Sequence, residues 1–250
     1  MTTISAVIIT KNEGKRIGEC LSSLKGVVDE IIVVDSFSED HTPEICREFN
    51  VNFHQREWEG YSKTKNLANQ IAQSDYILSI DGDEVLSQKL REQLIQIKPL
   101  LEGVYAFNRL NHYLGKPIKC CGWYPDTKIR LFPRLETYWQ GEVHEELVFS
   151  SPQKETLLEG DLLHFPYDSV EDHERQTLNY AKLGAEKLVS REKRGLIIKG
   201  VFSPVWRFLK MYLLQGGIRE GYAGWKISRM AMREVRLKYK WAREMQHREE

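Results

Sequence analysis

No apolar run in this 250-residue chain approaches the roughly 18 residues that a membrane-spanning helix requires. Cysteine is scarce, and Cys20, Cys46, Cys120 and Cys121 show no C-x-x-C spacing. The adjacent pair is poorly placed to bridge itself or to hold zinc, so reduced thiols in a cytoplasmic protein are expected. Net charge is also missing, with 36 basic against 36 acidic residues, and composition gives no reason to expect a nucleic-acid partner. Internal repeats and low-complexity stretches are absent. The opening apolar stretch Ala6–Thr10, backed by Lys11, is too short and wrongly flanked for a signal peptide. A cytoplasmic protein is expected, either free or resting on the inner face of the cytoplasmic membrane.

What is present is ordinary core-forming material, 41% hydrophobic, in a recognisable order. "ISAVIIT" and "EIIVVDS" are short β-branched runs separated by a helical segment from Glu13 to Leu24, as strands covered on both faces would be. A helix opening near Thr42–Pro43 leads to a third strand, Val51–His54. "KTKNLANQIAQ" reads as helix, "YILSID" as strand, and "LSQKLREQLIQIK" as a helix that starts near Ser87 and stops before Pro99. This alternation predicts an α/β fold, a Rossmann-like nucleotide-binding mixed sheet flanked by helices. Beyond Pro99 the aromatic and β-branched texture predicts further strands. From about Ser169 the chain turns helical, with a break expected around Pro204. The boundaries are therefore 1–98 for a nucleotide-binding half, 99–168 for a strand-rich half and 169–250 for a helical extension.

The densest chemistry lies in "DYILSIDGDEVLS", where Asp81, Asp83 and Glu84 follow a buried strand. Carboxylates forced together raise one another's pKa unless a cation or hydrogen-bond donors compensate. Ligands of open α/β sheets bind at the carboxyl ends of strands, and Gly82 lets Asp81 and Asp83 approach a common point. Hard oxygen ligands suit Mg²⁺ or Mn²⁺ together with substrate phosphates. A solvated turn with Asp83 or Ser87 capping the next helix is the competing reading.

"AVIITKNEGKRIGECLSSLKGVVDEIIVVDSFSEDHT", "KTKNLA" and "ILSIDGDE" together resemble the nucleotide-sugar-binding half of family 2 glycosyltransferases, which have the GT-A fold. The resemblance covers roughly the first 165 residues. "GEVHEELVF", "LLHFPYDS" and "YLLQGGIREGYAGWKIS" are similar to the bacterial lipopolysaccharide core glucosyltransferases. It implies that Asp35 reads the nucleotide base, with Thr10 and Glu13 lining the same pocket. Lys65 supplies the basic residue at the diphosphate, in a helix start that also carries Lys63 and Asn66. Asp81 and Gly82 meet the nucleotide, Asp83 holds the metal, and the late His164 completes the metal site. As turn and cap residues, Asp35 and Asp40 have a simpler reading, and His164 a structural one. Glu145 is implied as general base, Glu146 is the fallback, and His144 either orients substrate or serves as an alternative base.

The implied activity is inverting, metal-dependent transfer of a hexose, most simply glucose from UDP-glucose, onto a lipopolysaccharide inner core. Peptide, polyprenyl phosphate or other polysaccharide acceptors, and a nucleotide-sugar-binding protein without turnover, are the alternatives. Positive charge is concentrated at one end, with 16 Lys and Arg against 6 Asp and Glu from Lys187 to Glu250. Interleaved with Trp206, Phe208, Leu213, Leu214, Trp225 and Trp241, it predicts an interfacial membrane helix carrying a lipid-linked glycan acceptor; a packed helix or a homodimer contact competes.

Overall fold

The computed structural model describes residues 2–141, 145–190 and 196–249, with side chains through residue 246. The first hundred residues run β1 (Ile4–Thr10), α1 (Ile17–Leu24), β2 (Glu30–Asp35), α2 (Thr42–Glu48), β3 (Asn52–Gln55), α3 (Tyr61–Ile71), β4 (Tyr76–Asp81), β5 (Glu84–Leu86) and α4 (Gln88–Ile97). Then follow β6 (Val104–Tyr113), β7 (Lys116–Pro117), β8 (Thr127–Pro133), β9 (Thr137–Gln140), β10 (Glu146–Phe149), β11 (Glu155–His164), α5 (Val170–Ser190), α6 (Leu196–Leu209) and α7 (Tyr222–Glu249). The chain divides into two units, one of residues 1–109 and 126–164, the other of 110–125 and 165–250. The segment 99–168 is thus shared between them, because residues 110–125 pack with the C-terminal helices.

In the first unit every residue of β1 is buried, as a strand covered on both faces requires. Alternate side chains enter two cores. Ile4, Ala6 and Ile8 meet α1 through Ile17, Leu21 and Leu24, and α4 through Leu90 and Leu94. Val7 and Ile9 lie on the opposite face with Ala68 of α3 and Phe132 of β8. The sheet order is β3-β2-β1-β4-β8-β6-β11-β5. The first four strands are parallel, and β8 turns antiparallel against β4. Register places Thr10 beside Asp35 and Ile9 beside Asp81, so the ends of β1, β2 and β4 form one edge.

Some local expectations shift. The segment at Glu13 is a turn, its carbonyl accepting from the Arg16 and Ile17 N–H groups before α1 begins. Ser87 caps α4, accepting from Leu90 N–H at 3.3 Å. The short strand β5 was not anticipated, since three residues show no usable periodicity. It pairs antiparallel with β11, placing His164 opposite Glu84.

In the second unit the expected break at Pro204 does not occur. Pro204 is buried inside α6, where one lost backbone bond is tolerated because α6 packs along α7; the helix instead widens into a π-turn at Lys210–Leu214. An aromatic cluster forms the core here. The Tyr113 hydroxyl lies 3.1 Å from Nδ1 of His173, and Tyr167 stacks on His173 with ring centroids 4.3 Å apart. Burial, aided by the Lys226 charge, pushes the His173 pKa down to about 4. The unfolded chain therefore takes up a proton near pH 6.5 that the folded one refuses. Stability should fall as pH drops from 6.5 towards 4, by up to about 3 kcal/mol at this site. Chemical denaturation of wild type and His173→Phe across this range checks it; equal pH slopes would refute the assignment.

Candidate active site

All the residues that form this site belong to the first unit. Gly82 sits where a Cβ would lie 3.0 Å from Thr10 Oγ1 and 3.1 Å from Glu13 Cγ, so the β4–β5 turn is pressed against the end of β1. Thr10, Glu13 and Gly82 are thereby neighbours. Thr10 Oγ1 is buried and finds no hydrogen-bond partner, an arrangement that suits a ligand polar group.

The negative cluster is compensated by cations, of which sequence order did not reveal Arg130. Arg130, on β8 and 5% exposed, donates from Nη2 to Asp81 Oδ2 at 2.9 Å and to Glu84 Oε1 at 2.5 Å. Glu84 is fully buried, and its other oxygen accepts from Asp81 N–H at 3.0 Å, bracing the turn from inside. Arg109 reaches Glu84 at 3.5 Å and pairs with Asp126 at 2.7 Å. Burial alone would raise the Asp81 pKa, but Arg130 and then Lys65 outweigh it and hold the carboxyl well below the usual range. Glu84 is pushed up by burial and by Asp81 and Asp83, with Arg130 pulling against them. Glu84 is thus a strut of the site. Arg130 carried one signal in the sequence, a cation between the apolar residues Ile129 and Leu131, but its partners are long-range.

Arg130→Met would leave the fully buried Glu84 with only the 3.5 Å contact to Arg109, and Asp81 with only Lys65 at 3.8 Å. The expected cost is about 3–5 kcal/mol of stability, measured by urea unfolding. A loss below about 1 kcal/mol, the scale of an exposed pair, would show that the network is not held by this charge.

Lys65 is 4% exposed and is the second compensating cation. Its Nζ lies 3.1 Å from Glu145 Oε1, 3.8 Å from Asp81 Oδ1 and 4.6 Å from the centre of the Trp139 ring. It therefore joins the strand-end cluster to the implied base. The same helix positions that region: Asn66 exchanges two 2.8 Å hydrogen bonds with the Trp139 backbone, and Ser62 donates to Gly141 O at 2.5 Å. Lys63 is exposed and pairs with Glu59 at 3.7 Å, which leaves it outside the cluster. Glu146 is exposed at the start of β10, and His144 lies outside the described residues.

Asp35 is fully buried at the end of β2. It accepts from the Ser38 hydroxyl at 2.5 Å, the Ser38 N–H at 2.9 Å and Gln55 Nε2 at 3.1 Å. In this arrangement it shapes the β2–α2 turn, the simpler role weighed for it. Asp40 accepts from Gly14 N–H at 2.9 Å and Thr42 N–H at 3.0 Å, tying α2 to the loop after β1.

The antiparallel pairing of β11 with β5 brings His164 to Asp83, Nε2 to Oδ2 at 3.2 Å. Two ligands at about 2.1 Å on adjacent octahedral positions stand roughly 3.0 Å apart, so the pair fits one divalent ion. No group of three or more His, Cys, Asp or Glu side chains able to hold a metal occurs among the described residues. Any ion here would need substrate or water for its remaining ligands, as Mg²⁺ and Mn²⁺ commonly do.

Residues 5–109 match the model of glycosyl transferase family 2. The chain carries a family 2 glycosyltransferase domain. An uncharacterised glycosyltransferase of Rickettsia typhi is 29% identical over 243 residues, covering 90% of this chain and 81% of that protein. The lipopolysaccharide core biosynthesis glycosyltransferase LpsC of Rhizobium meliloti is 28% identical over 235 residues, covering 88% and 84%. Among solved structures, the mannosyltransferase PcManGT of Pyrobaculum calidifontis, in complex with GDP-Man and Mn²⁺, aligns with a TM-score of 0.53 at 13% identity, over 96% of this chain and 87% of that one. That likeness is one of fold. The chain is a glycosyltransferase with a GT-A fold.

Proposed function

We propose that this family 2 glycosyltransferase moves a hexose, most simply glucose from UDP-glucose, with inversion onto a lipopolysaccharide inner-core or related lipid-linked glycan. The observation that carries the reading is Lys65, buried between Asp81 and Glu145, because it couples a diphosphate-facing cluster to a candidate base. The similarity to LpsC supports the acceptor class.

In this mechanism the donor diphosphate lies over Gly82, with Thr10 and Glu13 at the nucleotide end. Asp35 reaches the base if Ser38 or Gln55 yields its bond. Asp83 and His164 would hold Mn²⁺ or Mg²⁺, which offsets the charge gathering on the leaving diphosphate. The imidazole ligand favours Mn²⁺ over Mg²⁺. Lys65, given the diphosphate as a stronger anionic partner, releases Glu145 towards the acceptor. Glu145 takes the acceptor hydroxyl proton as that oxygen bonds to the anomeric carbon and the sugar–phosphate bond breaks. Arg130 keeps Asp81 ionised and oriented throughout.

The deciding measurement is release of labelled sugar from UDP-glucose and a panel of other nucleotide sugars, with Mn²⁺, Mg²⁺ or chelator. Turnover that needs a divalent ion and prefers UDP-glucose is expected. A preference for another donor would overturn the glucose assignment, and full activity in chelator would overturn the metal assignment.

A further inference from the structure

Helix α6 turns an apolar stripe to solvent. Ile197, Ile198, Val201, Phe202, Val205 and Trp206 are 53–69% exposed, and their spacing of i, i+1, i+4, i+5, i+8 and i+9 places them on one helical face. Only Leu196 and Pro204 of this helix are buried. The stripe continues beyond it through Leu213 and Leu214, at 52% and 70% exposure. Scattered exposed apolar residues are normal, but a continuous row of this length marks an interaction surface.

Charge identifies the partner. From Leu196 to Arg219 the chain has Lys199, Arg207, Lys210 and Arg219 and no Asp or Glu. A second copy seated on this face would bring cations of the same sign together, whereas an anionic lipid surface complements them. Trp206 suits the depth of the headgroups. No described helix is long and apolar enough to cross a membrane, so the fitting geometry is a helix lying in the plane of the interface. By contrast, Trp225 and Trp241, which the sequence also suggested for this role, are partly buried along α7.

We infer that the exposed face of α6 is a docking surface for an anionic bilayer, inserting Phe202 among the acyl chains with Trp206 at headgroup depth, while Lys199 and Lys210 meet lipid phosphates. It is independent of which donor or acceptor the enzyme uses. The test is cosedimentation of the full chain with phosphatidylglycerol–phosphatidylcholine vesicles and with phosphatidylcholine alone. Strong binding to the first, weak binding to the second, and loss on adding salt are expected. Phe202→Ser with Trp206→Ser should lower partitioning at least about tenfold. Circular dichroism and release of sugar from soluble donor should be unchanged, since neither residue touches the active site. Leu135→Ser, at an exposed apolar position in the other unit, should bind as wild type does.

Failure of the wild type to bind anionic vesicles would overturn the inference, as would normal binding by the double variant. So would a solution dimer that the double substitution dissociates while vesicle binding persists. A chain that binds vesicles but turns over no nucleotide sugar would refute the proposed reaction and leave this surface standing.

Discussion

Glu145→Gln is expected to lower glycosyl transfer by about 10²–10⁴-fold while leaving UDP affinity nearly intact. The amide keeps the shape of the side chain and an oxygen that can still accept from Lys65 Nζ, now 3.1 Å away, but it cannot take a proton from an acceptor hydroxyl. The loss should therefore fall on kcat. Equilibrium binding of UDP by calorimetry, alongside single-turnover transfer, separates the two quantities. Collapse of nucleotide binding would assign Glu145 to the donor site. Undiminished transfer would pass the base role to Glu146 or His144, the other two candidates.

Asp83→Ala should remove turnover almost completely. A divalent ion held there would lower the barrier by several kcal/mol, so roughly a 10³-fold loss is expected if Asp83 is one of its ligands. His164→Ala should be milder. With Asp83 retained, activity should return in part as Mn²⁺ is raised, because the defect is one of metal affinity. Metal titrations of both variants test this directly. If His164→Ala matched wild type at every Mn²⁺ concentration, the 3.2 Å contact with Asp83 would be structural and the second ligand would have to be sought elsewhere.

These variants probe different levels of one construction. Arg130→Met should act mainly on stability, because Arg130, itself buried, neutralises the fully buried Glu84 and braces the partly exposed Asp81. Asp83 and Glu145 should act on chemistry, because they are partly exposed and stand where substrate can meet them. If Arg130→Met instead left stability intact and abolished turnover, Arg130 would have to be moved into the group that meets the donor.

The sequence by itself determined the strand–helix order of the first hundred residues and the placing of Asp81 and Asp83 at a strand end. Those features are local: β-branched apolar runs, a helix period between them, and a glycine where the chain must turn. It also carried the family likeness and the gathering of positive charge in the last quarter. The family resemblance pointed to Lys65, but Arg130, the other cation that answers the acidic cluster, was invisible there, because it comes from β8, far along the chain from Asp81 and Glu84. Glu84 looked like a companion of Asp83, and only the antiparallel pairing of β5 with β11 shows it turned inward with His164 brought to the edge. Likewise the tail's composition could not say which aromatics face water. Packing decided that, by burying one side of α7 and leaving a face of α6 uncovered. Local pattern specifies which element a residue occupies; partners far apart in sequence meet only when the sheet order and helix packing have closed.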